Sequence, residues 1–197
     1  MNVTMKSLLT AMAVIGIALL LGAGSFALTM RFPLDNTIVN NGPWQTDLSM
    51  GSKQASLHMR ARIAIIGLFA LKKSEAVYFI ARTDSEGRPL NSSCDYRIEG
   101  RDLPSRWWSI TALGPTFFLI PNEAGRYSVT WANAARERDG SYVIRLSPDR
   151  KEGNWISTGS RKTGQINLTL RLYRPPAAVL EKPGDVELPA IIQEACR

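Results

Sequence analysis

The chain has one histidine, His58, and two cysteines, Cys94 and Cys196, among 197 residues. That inventory closes several chemistries. A multi-histidine metal centre is impossible, and two distant cysteines do not make a Cys-rich zinc site. A Ser-His-Asp arrangement needs its histidine at a nucleophile, and no Gly-x-Ser-x-Gly turn presents one. His58 is therefore expected in a surface or packing role, and no catalytic residue, metal or cofactor is assigned. Glycoside hydrolysis without histidine needs two carboxyls about 5–9.5 Å apart. Glu75, Asp95, Glu99, Asp102 and Asp139 are the available acids. Most fall on polar strand faces or in turns, where solvated charge is expected. Glu75 precedes an apolar run and is expected to form a buried salt bridge to Arg60 or Arg171.

The aromatic residues are more suggestive. Trp107, Trp108, Tyr127, Trp131, Trp155 and Tyr173 lie on or beside expected strands, with Arg171 among them. Aromatic platforms stack on sugar rings and apolar ligands, although they also build cores. These seven are the expected ligand-binding residues. Adjacent Trp107 and Trp108 must face opposite sides of a strand, so one belongs to a core and the other points outward.

Placing such residues requires a body, and the sequence first supplies an address. No charge occurs from Ser7 to Met30, and Leu8–Met30 is an apolar run of 23 residues between Lys6 and Arg31. At about 1.5 Å per residue it spans a hydrocarbon core of about 30 Å. Two readings stay open. One is a retained signal-anchor; the other is a signal peptide cleaved at Ser25-Phe26-Ala27. Retention would give one membrane crossing, with the C-terminal domain on the outer side. Cleavage would instead release it as a periplasmic or secreted protein. The even cysteine count of an exported chain then predicts a Cys94–Cys196 disulfide. Closing a loop of about 100 residues is worth roughly 4–5 kcal/mol in the chain-entropy model.

Composition is that of an ordinary globular protein, 45% apolar and 21% charged. Net charge is +7, but no basic run exceeds two residues. No groove-reading motif accompanies it, so nucleic acid is not an expected partner. The bilayer, through residues 8–30, and an envelope protein or glycan are.

Residues 31–51, rich in Asn, Gly and Pro, read as a linker or irregular lead-in. Ser52–Leu71 places Ala55, Met59, Ile63 and Ile66 at helical spacing, with Gly67 as a stop; the same stretch also alternates, leaving a strand open. Beyond it the period becomes two. Ala76–Arg82, a strand starting at Cys94, Trp107–Leu113, Phe117–Pro121, Tyr127–Asn133, Ser141–Ser147 and Ile166–Leu172 all read as strands. Asp84–Pro89 is expected to close a hairpin between the first two. Ile166, Leu168, Leu170 and Leu172 share one face and should lie between two packed sheets. Arg174-Pro175-Pro176 stops the last strand. Ala177–Lys182 reads as one turn of helix, and Pro189–Ala195 as a short terminal helix.

An ordered set of short motifs carries a resemblance. It comprises Trp107-Trp108-Ser109-Ile110-Thr111, Tyr127-Ser128-Val129, Asp139-Gly140, Ser147-Pro148, Asn154-Trp155-Ile156 and Leu170-Arg171-Leu172-Tyr173-Arg174-Pro175. In that order, over roughly residues 50–197, the chain resembles the bacterial domain of unknown function 1214 family. Ser74–Phe79 and the two cysteines are similar to its short, single-domain, membrane-anchored members. The resemblance implies an all-β, mainly antiparallel, jelly-roll-like sandwich in an exported bacterial protein, and so an expected location at the bacterial inner membrane, crossed once, with the C-terminal domain in the periplasm. Ala112-Leu113-Gly114 departs from the aromatic-acidic pair that often follows Ser-Ile-Thr in that family.

The resulting expectation has three parts. Residues 1–30 form the signal-anchor or signal peptide and 31–51 the lead-in. Residues 52–197 form a β-sandwich with one N-terminal amphipathic helix and a short C-terminal helix. The expected role is an extracytoplasmic module binding an envelope component or partner protein. A carboxylate-dependent hydrolase of envelope glycans and a structural accessory subunit are the alternatives.

Overall fold

A computed structural model describes residues 3–31, 37–65, 67, 68 and 70–196. The chain divides into two units, Met1–Asn36 and Thr37–Arg197. The first contains α1 (Val3–Arg31), a single continuous helix. Its Met5–Thr29 stretch is long and apolar enough to cross a membrane. Those 25 residues rise about 37 Å. Apolar side chains are exposed all along it, among them Leu8, Leu19, Leu20 and Leu28. A helix apolar on every side needs an apolar surrounding.

Among the described residues the second unit holds ten strands. In chain order they are β1 (Ile38–Asn41), β2 (Trp44–Asp47), β3 (Ala76–Ala81), β4 (Cys94–Gly100), β5 (Trp107–Leu113), β6 (Ser128–Thr130), β7 (Tyr142–Ser147), β8 (Trp155–Ser157), β9 (Asn167–Tyr173) and β10 (Ala190–Cys196). Helix α2 (Leu57–Ile65) lies between β2 and β3, and α3 (Ala177–Glu181) follows β9. One sheet has the order β1-β2-β3-β9-β5-β6, the other β10-β4-β7-β8. Every pairing is antiparallel except β7 with β8. The fold is thus mainly antiparallel β, with an apolar N-terminal helix and a short helix near the C-terminus. Both sheets are open and neither closes on itself, so the jelly-roll designation stays with the resemblance and not with the strand order.

Strand β9 sits between β3 and β5, and its leucines explain why. Leu168 lies opposite Ala81 and Ala112, Leu170 opposite Phe79 and Ile110, and Leu172 opposite Val77 and Trp108. All of these are buried in one cluster with Tyr96, Ile98, Ile144, Leu146 and Ile191 of the second sheet. Period-two alternation therefore aims one face of each sheet at a shared core. Each fully buried leucine contributes roughly 1.5–3 kcal/mol.

Five expectations on local structure need correction. The lead-in is not irregular: β1 and β2 form a hairpin turned by Gly42-Pro43, with Gly42 at φ 56°. Trp44 drives it, fully buried with its Nε1 donating to the Pro189 carbonyl at 2.7 Å. Asp84–Pro89 does form a turn, closed by Arg88 Nε and the Glu86 and Arg88 amides on the Asp84 carboxylate. It does not make a hairpin, because β3 and β4 belong to different sheets. Phe117–Pro121 contributes only a bridge between Leu113 and Leu119. Its backbone is used instead in a tight turn, with the Gly114 and Phe117 amides bonded to the Phe118 and Gly114 carbonyls. Pro189–Ala195 is strand β10, because the chain end pairs with β4 and buries Ile191 opposite Ile98. Finally, the helix expected over Ser52–Leu71 is only nine residues long. Ser56 Oγ caps it by accepting the Met59 amide, and Gly67 at φ 65° ends it with a Leu68-to-Ile63 bond. Ile66, assigned to its apolar stripe, lies outside the described residues.

Cys94 and Cys196 are disulfide-bonded across 102 residues of sequence and are register partners in β4 and β10. The bridge fastens the edge strand β10 to β4.

Two outcomes follow. Leu170→Asp places an unpaired charge in the shared core and should abolish the cooperative thermal transition seen by circular dichroism; a retained transition would contradict the placement of β9. Reduction of the Cys94–Cys196 bridge, or its double serine variant, should lower the unfolding free energy by about 2–5 kcal/mol in urea titrations.

Candidate functional site

A hollow in the folded unit lies between two loops. One connects β5 to β6 and the other runs from β7 through β8 toward β9. Asparagines order the first loop. Asn167 Nδ2 donates to the Gly114 carbonyl at 2.8 Å, and Asn122 Oδ1 accepts the Arg126 amide at 2.9 Å. The loops meet where Gly159, at φ 75°, passes Ile120. A Cβ on Gly159 would lie 2.5 Å from Ile120 Cγ2, so only glycine fits.

The second loop is clamped by Asp95 on β4, beside the disulfide. This buried carboxylate accepts Ser147 Oγ at 2.9 Å and Lys151 Nζ at 3.1 Å, with Arg161 Nη2 at 3.6 Å. Arg161 also holds Asp149 and donates to the Ser93 carbonyl at 2.8 Å. Burial pushes the Asp95 carboxyl up, but the bonds from Lys151 and Ser147 and the Arg161 charge outweigh it and hold it below the usual carboxylate range. Trp155 is fixed on the same loop, its Nε1 donating to the Ser147 carbonyl at 2.9 Å.

The resulting groove has a volume of about 880 Å³. Its apolar arm carries Pro115, Phe118, Leu119 and Ile120. Phe118 is 65% and Leu119 53% exposed, unusual for residues so apolar. A second hollow of about 750 Å³ shares Ala124, Arg150 and Trp155 with the first and adds Arg126, Lys151 and Glu152. Lys151 is neutralised by Asp95. Arg126 and Arg150 are exposed, and among the described residues neither makes an ion pair. Guanidinium groups grip carboxylates and phosphates through two parallel bonds. The composite site thus offers an apolar arm, an indole and two unpaired cations.

Of the seven aromatic and arginine residues expected from sequence, only Trp155 lines this groove. Trp107 and Tyr173 meet edge to face with centroids 5.1 Å apart, as paired residues of β5 and β9. Arg171 shares their sheet face and donates to Thr111 Oγ1 at 3.1 Å. Trp108 belongs to the core, its ring against Tyr142 and its Nε1 donating to Asp102 at 3.0 Å, so no ligand reaches it. Tyr127 is half-buried and its carbonyl accepts the Ala112 amide. Trp131 is 44% exposed under the Arg136 guanidinium.

The acids are placed structurally. Burial raises the Asp102 carboxyl, but bonds from Trp108 and Arg136 overcome it and hold it low. Glu99 pairs with Arg97, and Asp139 accepts the Ser141 hydroxyl and faces Arg101. Glu75 is exposed and, among the described residues, has no ion pair; the buried bridge expected for it is not formed. Arg60 instead donates to the Ala55 and Lys53 carbonyls. Among the described residues no cluster of three His, Cys, Asp or Glu is arranged to hold a metal. Phe118, Leu119, Arg126 and Arg150 were not singled out by the sequence reading. The signal was present in the apolar run following Gly114-Pro115, which the turn carries outward instead of into a sheet.

Residues 75–177, spanning β3 to the start of α3, match the family described as Protein of unknown function (DUF1214). No curated protein matches the chain. Among solved structures, the VPA0106 protein from Vibrio parahaemolyticus is 23% identical, with a TM-score of 0.57, over 72% of this chain and 36% of that one. That likeness shows a shared fold. An uncharacterized protein from Burkholderia cenocepacia is 17% identical, with a TM-score of 0.41, over 62% of this chain and 30% of its own. This chain therefore spans about a third of the length of both.

The clamp carries its own prediction. Asp95→Asn should lower stability at neutral pH by about 1–3 kcal/mol, because it removes charged hydrogen-bond acceptors from a buried site. A carboxyl depressed in the folded state stabilises fully above its unfolded pKa and loses that contribution as pH falls through the folded value. The melting-temperature gap between the two proteins should therefore close at pH values below the carboxylate range.

Proposed function

We propose that this chain, which belongs to the DUF1214 family of proteins of unknown function, is a membrane-anchored binding module on the outer side of a bacterial inner membrane. The observation that carries the reading is the groove around Trp155, where an apolar arm adjoins Arg126 and Arg150. Such a site suits an envelope component that is anionic at one end and apolar at the other. Hydrophobic contacts supply affinity in a concave site, and a few placed charges fix orientation. The apolar α1 supports an anchor. The Cys94–Cys196 bridge supports an oxidising compartment, as in the periplasm. Asp95 and Asp102, each held by a cation, are spent on structure, which favours binding over hydrolysis.

The test uses the full chain in phosphatidylcholine nanodiscs, with hexyl phosphate titrated against tryptophan emission. Saturable binding is expected, weakened at least about tenfold by Arg126→Glu with Arg150→Glu, as loss of a charge-assisted pair requires. Inorganic phosphate and hexanol, each presenting half the chemistry, should bind more weakly. A non-saturating response, or one unchanged by the double variant, removes the groove as the site.

A further inference from the structure

Helix α2 belongs to an excursion inserted between β2 and β3, which are themselves paired neighbours in the large sheet. The excursion closes on itself at its base. A Cβ on Gly51 would lie 2.2 Å from the Leu71 carbonyl oxygen, so residues 51 and 71 are in direct contact. The Leu71 amide donates to the Tyr78 hydroxyl at 3.0 Å, fastening the base to β3. Ala55 and Met59 are buried, which sets the inward side of the helix. The outward side is mixed: Leu57 is 81% and Ile65 63% exposed, with Arg60 and Ala64 exposed between them. Leu71 is exposed at the base. Basic residues surround this patch, with Lys53, Arg60, Lys72 and Lys73 all exposed. No acidic residue occurs from Met50 to Ser74.

A globular surface helix turns its apolar side chains inward; α2 does so with Met59 yet leaves Leu57 and Ile65 outside. An exposed apolar face rimmed by Lys and Arg is the composition of a helix lying in a bilayer interface. Each basic residue at an anionic surface adds attraction. The chain also limits the distance to a bilayer. Six peptide steps separate Arg31, the last residue of α1, from Thr37, the first of the folded unit. Fully extended, six steps reach no more than about 22 Å. A tether that short makes a second contact intramolecular, so a weak interfacial helix suffices.

We propose that the Leu57–Ile65 face docks onto the anionic lipid surface of the membrane that α1 crosses, giving the domain a second, non-covalent attachment. The inference rests on the reading of α1 as an anchor and is independent of the Trp155 groove.

The experiment places an environment-sensitive NBD label on single cysteine variants of the full chain. The native cysteines are bonded to each other and do not compete. Positions are Leu57→Cys, Ile65→Cys, the α1 position Leu19→Cys, and the exposed Lys162→Cys as a reference. Nanodiscs contain phosphatidylcholine alone or an equimolar mixture with phosphatidylglycerol, each with and without brominated acyl chains. Labels at 57 and 65 should be quenched by brominated lipid in the anionic discs, and the label at 162 should not. Adding Lys53→Glu, Lys72→Glu and Lys73→Glu should abolish quenching at 57 while leaving the melting temperature and quenching at 19 unchanged. Quenching at 19 without quenching at 57 overturns the docking and leaves the anchor standing. A label at 57 that is shielded from solvent but unquenched identifies protein, such as a second copy of the chain, as the cover and also overturns it. No quenching at 19 overturns anchor and docking together.

Discussion

Three leucines on β9 hold the folded unit together. Leu168, Leu170 and Leu172 occupy the middle of the six-stranded sheet, each flanked by apolar partners on two neighbouring strands. The same side chains close the shared core against the second sheet. A one-residue slip of β9 would send all three to the opposite face and bring Asn167, Thr169 and Arg171 into the core. Register across β3, β9 and β5 is therefore set by burial, and the flanking strands have little freedom once β9 is seated.

The second sheet is smaller, and a covalent bond holds its edge strand. The Cys94–Cys196 bond joins its edge strand to β4 at the register position where pairing would otherwise fray. One residue later, Asp95 reaches Ser147, Lys151 and Arg161. Neighbouring residues of one strand thus hold opposite parts of the fold, the terminus on one side and the groove loop on the other. A buried carboxylate is tolerated there because its cost of burial is offset by bonds to its charged form, as its depressed pKa records. The clamp also neutralises Lys151, leaving Arg126 and Arg150 as the unpaired cations of the site.

Sequence reading recovered the parts of this structure governed by local periodicity. Trp107–Leu113 has its expected limits, and β7 and β9 lie within one residue of theirs. These strands carry one apolar face each, and alternation reports that directly. Errors came where a distant partner decides conformation. Ala190–Cys196 holds helix-compatible residues, and only pairing with β4 makes it a strand. Ile38–Asp47 looked irregular because its Asn, Gly and Pro describe the turn but not the burial of Trp44 beneath Pro189. Phe117–Leu119 has strand composition yet protrudes, since Gly114-Pro115 reverses the chain before a ladder forms. The groove was missed for the same reason: its two loops are distant in sequence and meet through Gly159 and Ile120. Aromatic residues chosen for their strand positions were, for that very reason, mostly committed to packing.

The division between scaffold and working surface follows from where polar backbone is satisfied. Ladder hydrogen bonds and the leucine stripe commit the inner strands to the scaffold, and the candidate working surfaces lie on insertions. The β5–β6 and β7–β9 connections build the groove, and the β2–β3 excursion presents the basic apolar helix. Each insertion is fastened at its base by a single strong feature: Asn167 on Gly114, Asp95 on Lys151, and Tyr78 on Leu71. Beyond those fasteners Ile120 and Met59 turn inward, while other apolar side chains stay exposed. Phe118, Leu119, Leu57 and Ile65 would be liabilities on a freely diffusing protein. Their exposure suits an amphiphilic ligand or, on the proposed reading of α1 as an anchor, a lipid surface.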